Sequence, residues 1–428
     1  MPIPADLYFI RDGGLWRWSE QGRLEQLVAP PQQSGTAGSI WARPVAGALP
    51  RPTGVTNYRV SPDGKFVIYS YTRRERAEYR SEIRVLVLET GETLYLPTIA
   101  MLPPSSPITP DMDIVPDGKI ALYLAWGVRP TVPGGQVFDP EEAGNYGTIL
   151  AVEIRNPNRE YELGYCAGRK VILWDTEQQL PCRGFVLSPD GARVAFVDGR
   201  GIWVSDFSGR APRLIAEHQS GFCGIWRSVR WSPDGKSLLA EMVCYESIGL
   251  TLIEVETGAR YTLHPTWRHV GFVTTSLSHQ RSELLVAHIA ELDTGYLDRI
   301  SLDNPADKIS LLSSRNFWPT YPVELLDSRI AMANQRCAEM EGPAPGIYTV
   351  APDGRELRFL SPLPAVSCET LDFGKILWSP DGRAYLYLKD DHPLLLGMTD
   401  GSALWDVQDL LSGAHTFQWR PPYAGYIP

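Results

Sequence analysis

The segment VRWSPDGKSLLAEM, residues 229–242, contains two short apolar stretches on either side of Ser232-Pro233-Asp234-Gly235. Proline fixes the φ angle that the second position of a turn requires, aspartate can bond back to its own backbone, and glycine tolerates positive φ. The chain therefore reverses direction at this tetrapeptide. Because the flanking residues are typical of β-strands, the segment predicts a β-hairpin.

The same hairpin recurs along the chain. Ser-Pro-Asp-Gly returns at residues 61–64, 188–191 and 379–382, and Pro116-Asp117-Gly118 is a weaker copy. A second pair of strands with its own turn follows each complete hairpin, so we expect modules of four antiparallel strands. Aligned first strands predict module starts near Thr56, Asp111, Gly184, Ser228, Phe272, Tyr321 and Thr370. Most of these spacings are close to the period of a propeller blade.

The two ends of the chain complete the count of modules. Residues 6–28 supply three strands without a first one, and residues 415–421 supply a first strand with nothing after it. Joining them closes a ring and removes free sheet edges. The sequence thus predicts an all-β fold in which residues 1–428 form a single closed β-propeller of eight blades. Seven blades remain the alternative if one irregular module is an insertion, and residues 405–411 are the one short helical candidate.

The hairpins VRWSPDGKSLLAEM and ILWSPDGRAYLYL (residues 376–388) resemble the TolB-type or PD40 β-propeller repeat, a relative of WD40. The resemblance covers nearly the whole chain and implies the propeller fold. It does not select a function, because such propellers serve as scaffolds, peptide binders, enzymes and enzyme domains.

Composition and motifs narrow the function classes. The net charge of −10 gives no basic footprint for nucleic acid, and no apolar run is long enough for a membrane span. The seven histidines are scattered, and no nucleophile or metal-binding motif is present. We therefore predict no catalytic residues, no metal and no cofactor.

The six cysteines fall at the blade ends opposite the Ser-Pro-Asp-Gly turns. Three local disulfides can be drawn, namely Cys166–Cys182, Cys223–Cys244 and Cys337–Cys368. Counting outward from a two-residue turn places Cys223 opposite Cys244, whereas a glycine bulge at Gly235 would turn them to opposite faces. Free buried thiols are the alternative. Without an export signal the sequence as written indicates the cytoplasm, but paired cysteines in a chain preceded by further residues would indicate an extracytoplasmic protein.

The long insertions lie at the same end as the cysteines, in residues 29–55, 72–82, 97–110, 127–147, 163–183 and 334–346. Long loops on a rigid framework commonly carry recognition. The connections that enter the first strands contain an aromatic and cationic set that could form a rim at the channel mouth: Trp41, Arg43, Trp226, Arg227, Trp267, Arg268, His269, Trp318 and Tyr321. The alternative is that the tryptophans wedge between blades.

Three functions follow from this interpretation. The first is a non-catalytic binding or scaffold propeller that recognises a protein or peptide partner through its loop-rich face, as a subunit of a larger complex or alone. The second is a propeller enzyme acting on a small molecule or glycan at the channel mouth. The third, the gating propeller of a prolyl oligopeptidase-like enzyme, would need a separately encoded hydrolase. The oligomeric state stays open.

Overall fold

The computed structural model describes the chain except residues 1, 31–52, 76–77, 102–110, 127–145, 157–159, 168, 174–175, 181–183, 208–211, 219–222, 245–246, 265–271, 279–281, 291–293, 338, 340, 367–372, 391 and 421–428. The described residues form strands β1 to β34 and no helix. Accordingly, no helix that could cross a lipid bilayer is found in this part of the chain. Eight four-stranded antiparallel sheets, which we number as blades 1 to 8, account for all strands but two.

Blades 1 to 4 consist of β34 (Ala414–Trp419), β1 (Leu7–Arg11), β2 (Gly14–Trp18) and β3 (Leu24–Val28); β4 (Gly54–Val60), β5 (Phe66–Glu75), β6 (Glu78–Val87) and β7 (Thr93–Met101); β8 (Met112–Ile114), β9 (Ile120–Trp126), β10 (Tyr146–Glu153) and β11 (Glu160–Ala167); and β14 (Phe185–Leu187), β15 (Arg193–Val197), β16 (Gly201–Asp206) and β17 (Arg213–Glu217). The remaining pair, β12 (Arg169–Leu173) and β13 (Thr176–Leu180), is a separate hairpin between blades 3 and 4.

Blades 5 to 8 consist of β18 (Cys223–Trp231), β19 (Ser237–Cys244), β20 (Ser247–Glu254) and β21 (Arg260–His264); β22 (Phe272–Leu277), β23 (Glu283–Ala290), β24 (Thr294–Ser301) and β25 (Lys308–Arg315); β26 (Pro319–Glu324), β27 (Ile330–Asn334), β28 (Gly346–Val350) and β29 (Arg358–Pro362); and β30 (Lys375–Trp378), β31 (Ala384–Lys389), β32 (His392–Met398) and β33 (Leu404–Asp406). The predicted fold class and the blade count of eight are therefore confirmed.

The Ser-Pro-Asp-Gly turns are held by their own side chains. Ser188 Oγ donates to Asp190 Oδ1 at 2.5 Å and accepts from Arg193 N at 2.9 Å. Gly191 has a φ of 69° and donates to Ser188 O at 2.8 Å. The bond from the Ser188 hydroxyl holds the pKa of Asp190 below its ordinary value. The serine-to-aspartate bond recurs in the other three copies, so the same internal hydrogen bond stabilises all four turns.

The register of the first hairpin in blade 5 differs from the counted one. Ser232 N bonds Ser237 O at 2.8 Å, so the turn contains four residues and not two. Two register shifts in β18 compensate for the two extra residues and bring Cys223 back opposite Cys244. A β-bulge changes local register in this way because two residues on one strand oppose one on the other.

The first strand of each blade lies nearest the axis of the ring. First strands of successive blades contact each other, as β4 contacts β8 and β26 contacts β30. Tryptophans at the ends of first strands join neighbouring blades. Trp231 Nε1 donates to Val186 O of blade 4 at 3.1 Å, and Trp378 and Trp419 make the same kind of bond to the preceding blade at 2.7 and 3.1 Å.

The core lies between blades, and both faces of each sheet contribute to it. In β19, Leu238 and Ala240 pack with Val197 of blade 4, whereas Leu239 packs with Leu284 of blade 6. Successive residues of a strand point to opposite faces, so a strand covered on both sides carries apolar residues at successive positions, as Leu238, Leu239 and Ala240 do. Full burial of one leucine contributes roughly 1.5–3 kcal/mol. This explains why strands such as β19 lack a polar face.

The ring closes through the N-terminal blade. β1 lies between β2 and β34, and Leu7 pairs with Trp419. Just beyond the strand pair, Arg420 N bonds Asp6 O at 2.8 Å. The closure predicted from residues 6–28 and 415–421 is therefore present, with β34 ending at Trp419.

The short helix predicted for residues 405–411 is wrong. Trp405 lies in β33 and pairs with Leu396 of β32. The following residues 408–413 are turns. Leu411 N bonds Val407 O at 2.9 Å, but this single helix-like bond is not continued because the chain must return to the axis as β34.

Candidate functional site

The two ends of the ring differ in their connections. At one end, the Ser-Pro-Asp-Gly turns and the turns between third and fourth strands are short; we call this end the turn face. At the other end, residues 29–53 separate β3 from β4, and residues 127–145 separate β9 from β10. We call this end the loop-rich face. Binding residues concentrate on long connections supported by a rigid framework, so the loop-rich face is the first candidate site.

One extended hairpin enlarges the loop-rich face. β5 and β6 are ten residues each, and their pairing continues to Glu75 opposite Glu78. Near the base of this hairpin, Glu82 Oε2 accepts from Arg84 Nη2 at 2.6 Å and from Arg73 Nη2 at 3.3 Å. Arg84 also lies over the ring of Tyr71, 4.0 Å from its centroid. The base of the extended hairpin is thus held by charge and stacking together.

Cysteines lie at the strand ends that adjoin the loop-rich face. Cys166 at the end of β11 and Cys337 after β27 are each disulfide-bonded, and no described cysteine is free. Cys337 forms a parallel bridge with Val366, two positions before Cys368. Because Cys182 and Cys368 lie outside the described residues, the pairings Cys166–Cys182 and Cys337–Cys368 stay predictions.

The third predicted pair also stays a prediction. Cys223 and Cys244 occupy opposed positions in β18 and β19, but the structure describes only their backbone. Their opposition is the arrangement that a cross-strand disulfide requires.

Two tryptophans of the predicted rim lie inside the ring. Trp226 is 1% exposed; its Nε1 donates to Glu217 O at 2.9 Å, and it packs with Ala216 of blade 4. Trp318 is 5% exposed and packs edge-on against Phe373, with ring centroids 6.0 Å apart. Both indoles occupy the wedge position that the sequence left open as the alternative.

Of the other seven residues of the predicted rim, one is exposed, one is partly buried, and five lie outside the described residues. Arg227 is exposed. Tyr321 is partly buried, with a φ of 49° and its N–H donating to Thr274 Oγ1 at 2.7 Å; burial raises the pKa of its hydroxyl to about 12. The five others lie outside the described residues: Trp41, Arg43, Trp267, Arg268 and His269.

A layer of three charged residues, at the same position in the first strands of three blades, was missed in the sequence. Arg59, Asp113 and Arg230 each stand two positions before the residue that opens the first turn of their blade. Arg230 Nη2 lies 3.2 Å from Glu241 Oε1 and also donates to Thr275 Oγ1 of the next blade. Because first strands surround the axis, this layer lies beside the central channel. Comparing the same column in every repeat would have revealed it.

Blade 3 carries two aspartates near the channel, Asp113 at this position and Asp111 two residues before it. Burial raises the pKa of Asp113 to about 6, although Arg59 opposes the shift, and Asp111 adds to it. Burial also raises the pKa of Asp111. A Cβ at Gly184, whose φ is 78°, would overlap the Asp111 carboxylate, so glycine permits this contact between blades 3 and 4. Asp113 is a carboxyl group that can exchange a proton near neutral pH.

The described residues contain no group of three or more histidine, cysteine, aspartate or glutamate side chains that could hold a metal ion. One buried histidine does meet a carboxylate: His288 Nε2 lies 3.0 Å from Asp298 Oδ2. Lys308 Nζ lies 2.7 Å from the same oxygen. His288 and Asp298 are buried in blade 6, at 7% and 2% exposure, and only Lys308 reaches the surface. A substrate could not reach the His288–Asp298 pair without opening the blade.

Similarity to known proteins supports the fold of this chain but does not establish a function. No protein-family profile and no curated protein sequence matches the chain. Among solved structures, Porphyromonas gingivalis dipeptidyl peptidase 4 is similar with a TM-score of 0.58 and 12% identity, covering 96% of this chain and 60% of that one. The chain thus spans less than two thirds of the length of that peptidase.

Two further structures are also similar. Dihydro-heme d1 dehydrogenase NirN, solved in complex with DHE, has a TM-score of 0.54 and 13% identity, with 98% of this chain and 76% of that one covered. TolB from Acinetobacter baumannii has a TM-score of 0.36 and 14% identity, with 85% and 86% covered. Identities this low show fold alone. The geometry identifies the protein as an eight-bladed β-propeller whose blades repeat the Ser-Pro-Asp-Gly hairpin.

Proposed function

We propose that the protein is a binding propeller that recognises a protein or peptide partner through its loop-rich face. The observation that carries this proposal is the contrast between the two ends of the ring. The Ser-Pro-Asp-Gly turns satisfy their own hydrogen bonds, whereas the opposite end holds the long connections and the extended β5–β6 hairpin. Loop variation on a fixed framework is the usual origin of specific recognition.

Pre-organisation supports the same proposal. The disulfides at Cys166 and Cys337 and the wedged Trp226 fix the strands from which the loops leave. Rigid loop bases reduce the entropy lost on binding. Disulfides also persist best in oxidising surroundings, so we place the binding function in an extracytoplasmic compartment.

The test begins with co-purification of the native chain, followed by direct binding measurements on the purified partner. Arg227→Ala and the double variant Trp267→Ala/Arg268→Ala change the loop-rich face. Lys236→Ala on the turn face is the matched control, because its side chain is exposed and pairs only locally with Asp234 at 3.6 Å. We expect the first two variants to weaken binding at least tenfold while the control binds normally. Equal affinity in all variants would contradict the proposal.

A second candidate rests on Asp113. A channel carboxyl group whose pKa is about 6, next to Asp111 and Arg59, has the environment of a general acid or base. This candidate is an enzyme or small-molecule binder acting at the channel. A thermal-shift screen with small metabolites and glycans, repeated on Asp113→Asn, tests it. Stabilisation by a ligand that is lost in the variant favours this candidate, and the absence of any stabilising compound argues against it.

A further inference from the structure

Two inter-blade clefts on the turn face can be compared residue by residue. In the cleft between blades 4 and 5, two arginines of blade 4 close the gap. Arg193 Nη2 donates to Gly235 O at 2.6 Å. Arg213 Nη1 donates to Glu256 O at 3.0 Å, and its Nη2 to Val255 O at 2.5 Å. This cleft is filled by protein contacts.

The strand registers identify the equivalent positions in blade 7. In blade 4, Ser188 N donates to Arg193 O, which closes the first hairpin. In blade 7, Leu325 N donates to Arg329 O at the same place. Arg329 therefore corresponds to Arg193. The outer strands agree: Arg213 pairs with Val204 in blade 4, and at the matching place in blade 7 Arg358 pairs with Thr349.

The acceptors on the next blade also correspond. Gly382 is the glycine of the blade 8 turn, as Gly235 is in blade 5. Thr399 N bonds Arg383 O just as Val255 N bonds Lys236 O. Thr399 and Asp400 of blade 8 therefore take the places of Val255 and Glu256. Blades 7 and 8 thus have both arginines and the positions of all three acceptors.

The arginines of blade 7 nevertheless do not close their cleft. Arg329 Nη2 donates to Thr349 Oγ1 of its own blade at 3.0 Å. Its Nε is buried and has no hydrogen-bond partner, and among the described contacts no hydrogen bond or ion pair reaches Arg358. Between these arginines and blade 8 lies a cavity of about 380 Å³, lined by both of them and by Gly382, Thr399 and Asp400.

The lining determines the class of ligand. Two guanidinium groups with free donors suit a carboxylate, which accepts two parallel hydrogen bonds from one arginine. Leu325, Leu326 and Leu360 supply an apolar wall. The cavity is also lined by Arg383 and by three aspartates, Asp327, Asp381 and Asp400, so its arginines and aspartates balance and favour a monoanion over a multiply charged phosphate. A cavity of this size fits a small molecule.

We propose that the cleft between blades 7 and 8 binds an aliphatic carboxylate, with Arg329 and Arg358 holding the carboxylate group and the leucines contacting the aliphatic chain. The ligand could be supplied as a free acid or as the C-terminal leucine of a peptide, since both present the same group. This site lies on the turn face, so it is separate from the partner-binding face proposed above.

Calorimetric titration of the full chain tests the site. The probes are 4-methylpentanoate, its neutral amide, inorganic phosphate, and a leucine-terminated peptide with a free or an amidated C-terminus. We expect the free acid or the free-terminus peptide to bind, and the amide, phosphate and amidated peptide to bind at least tenfold more weakly. Binding by the acid alone identifies a small-molecule source, and binding by the peptide identifies a peptide source.

Variants then assign the binding to the two arginines. Arg329→Gln and Arg358→Gln should each weaken binding at least tenfold, and the exposed Arg358 provides the informative variant if Arg329→Gln folds poorly. Arg213→Gln is the matched control, because it removes the equivalent arginine from the closed cleft and should leave binding unchanged. The proposal is overturned if no carboxylate binds at millimolar concentration, if the amides bind as tightly as the acids, or if the control weakens binding equally.

Discussion

Replacing Arg193 with glutamine should destabilise the ring far more than the equivalent change at Arg329. Arg193 joins two blades: it donates to Gly235 O at 2.6 Å, lies 5.1 Å from the Trp231 ring centroid, and approaches Glu256 Oε1 at 3.4 Å. Among the described contacts, the Arg329 side chain donates only to Thr349 of its own blade. The two residues occupy the same position in the strand ladder, so strand propensity cancels in the comparison, although the turn before Arg329 is one residue shorter than the turn before Arg193.

The magnitudes follow from these contacts. A hydrogen bond from a charged donor contributes about 1.5–3 kcal/mol, and a partly exposed cation–π contact contributes roughly 0.5–1 kcal/mol. The ion pair adds little, because the Glu256 side chain is 78% exposed and such pairs are worth about 0–1 kcal/mol. Since contacts in one cluster are not additive, we expect Arg193→Gln to lower the free energy of unfolding by about 2–3 kcal/mol. Arg329→Gln loses one such hydrogen bond, to Thr349, but it also removes a buried Nε that has no hydrogen-bond partner, so it should cost under about 1 kcal/mol.

Urea unfolding followed by tryptophan fluorescence measures both variants against the unaltered chain. The free energy is compared only if the slope with urea is unchanged, because a changed slope signals a change in the surface exposed on unfolding. If the two variants lose the same free energy, the contrast between a closed and an open cleft is refuted, and with it the use of strand register to identify equivalent contacts.

Three further outcomes are expected. Because burial raises the Asp113 pKa from 3.8 to about 6, the free energy of unfolding should fall as pH rises from about 4 to about 6. In urea titrations, Asp113→Asn should raise the free energy of unfolding by about 1–3 kcal/mol at pH 8, at about 1.4 kcal/mol per unit of pKa shift. Near pH 4 the variant should change nothing. Reducing the disulfides at Cys166 and Cys337 should cost about 2–5 kcal/mol each, seen as a lower melting temperature with reductant; an unchanged melting temperature after complete reduction would contradict this. Gly184→Ala should destabilise more than Gly91→Ala in urea, because both glycines have positive φ but only Gly184 lacks room for a Cβ.

The parts of the fold that the sequence predicted are those fixed by local chemistry. The serine, aspartate and glycine of each turn satisfy one another, so the hairpins, their recurrence and the blade count could be read without knowing the neighbours. Closure by residues 415–421 was predictable for a related reason, since a lone first strand must pair with a blade that lacks one.

Features that depend on packing between neighbouring strands and blades could not be predicted from the sequence. The bulges that realign Cys223 with Cys244 depend on how β18 packs against its neighbours. Trp226 and Trp318 stand where a strand meets a loop, and only the packed ring shows that their indoles turn inward. Trp405 joins β33 because β32 offers an unpaired edge, which overrides its local pattern.

The pairing of β1 with β34 constrains the order in which the ring can fold during synthesis. During synthesis, blade 1 lacks its innermost strand until residues 414–419 emerge from the ribosome. Until then the ring stays open between blades 8 and 1. Contacts so far apart in sequence form slowly because a long loop must close first. β34 is thus the strand that converts a row of sheets into a ring, and a nonsense mutation before it would leave the inner edge of β1 unpaired.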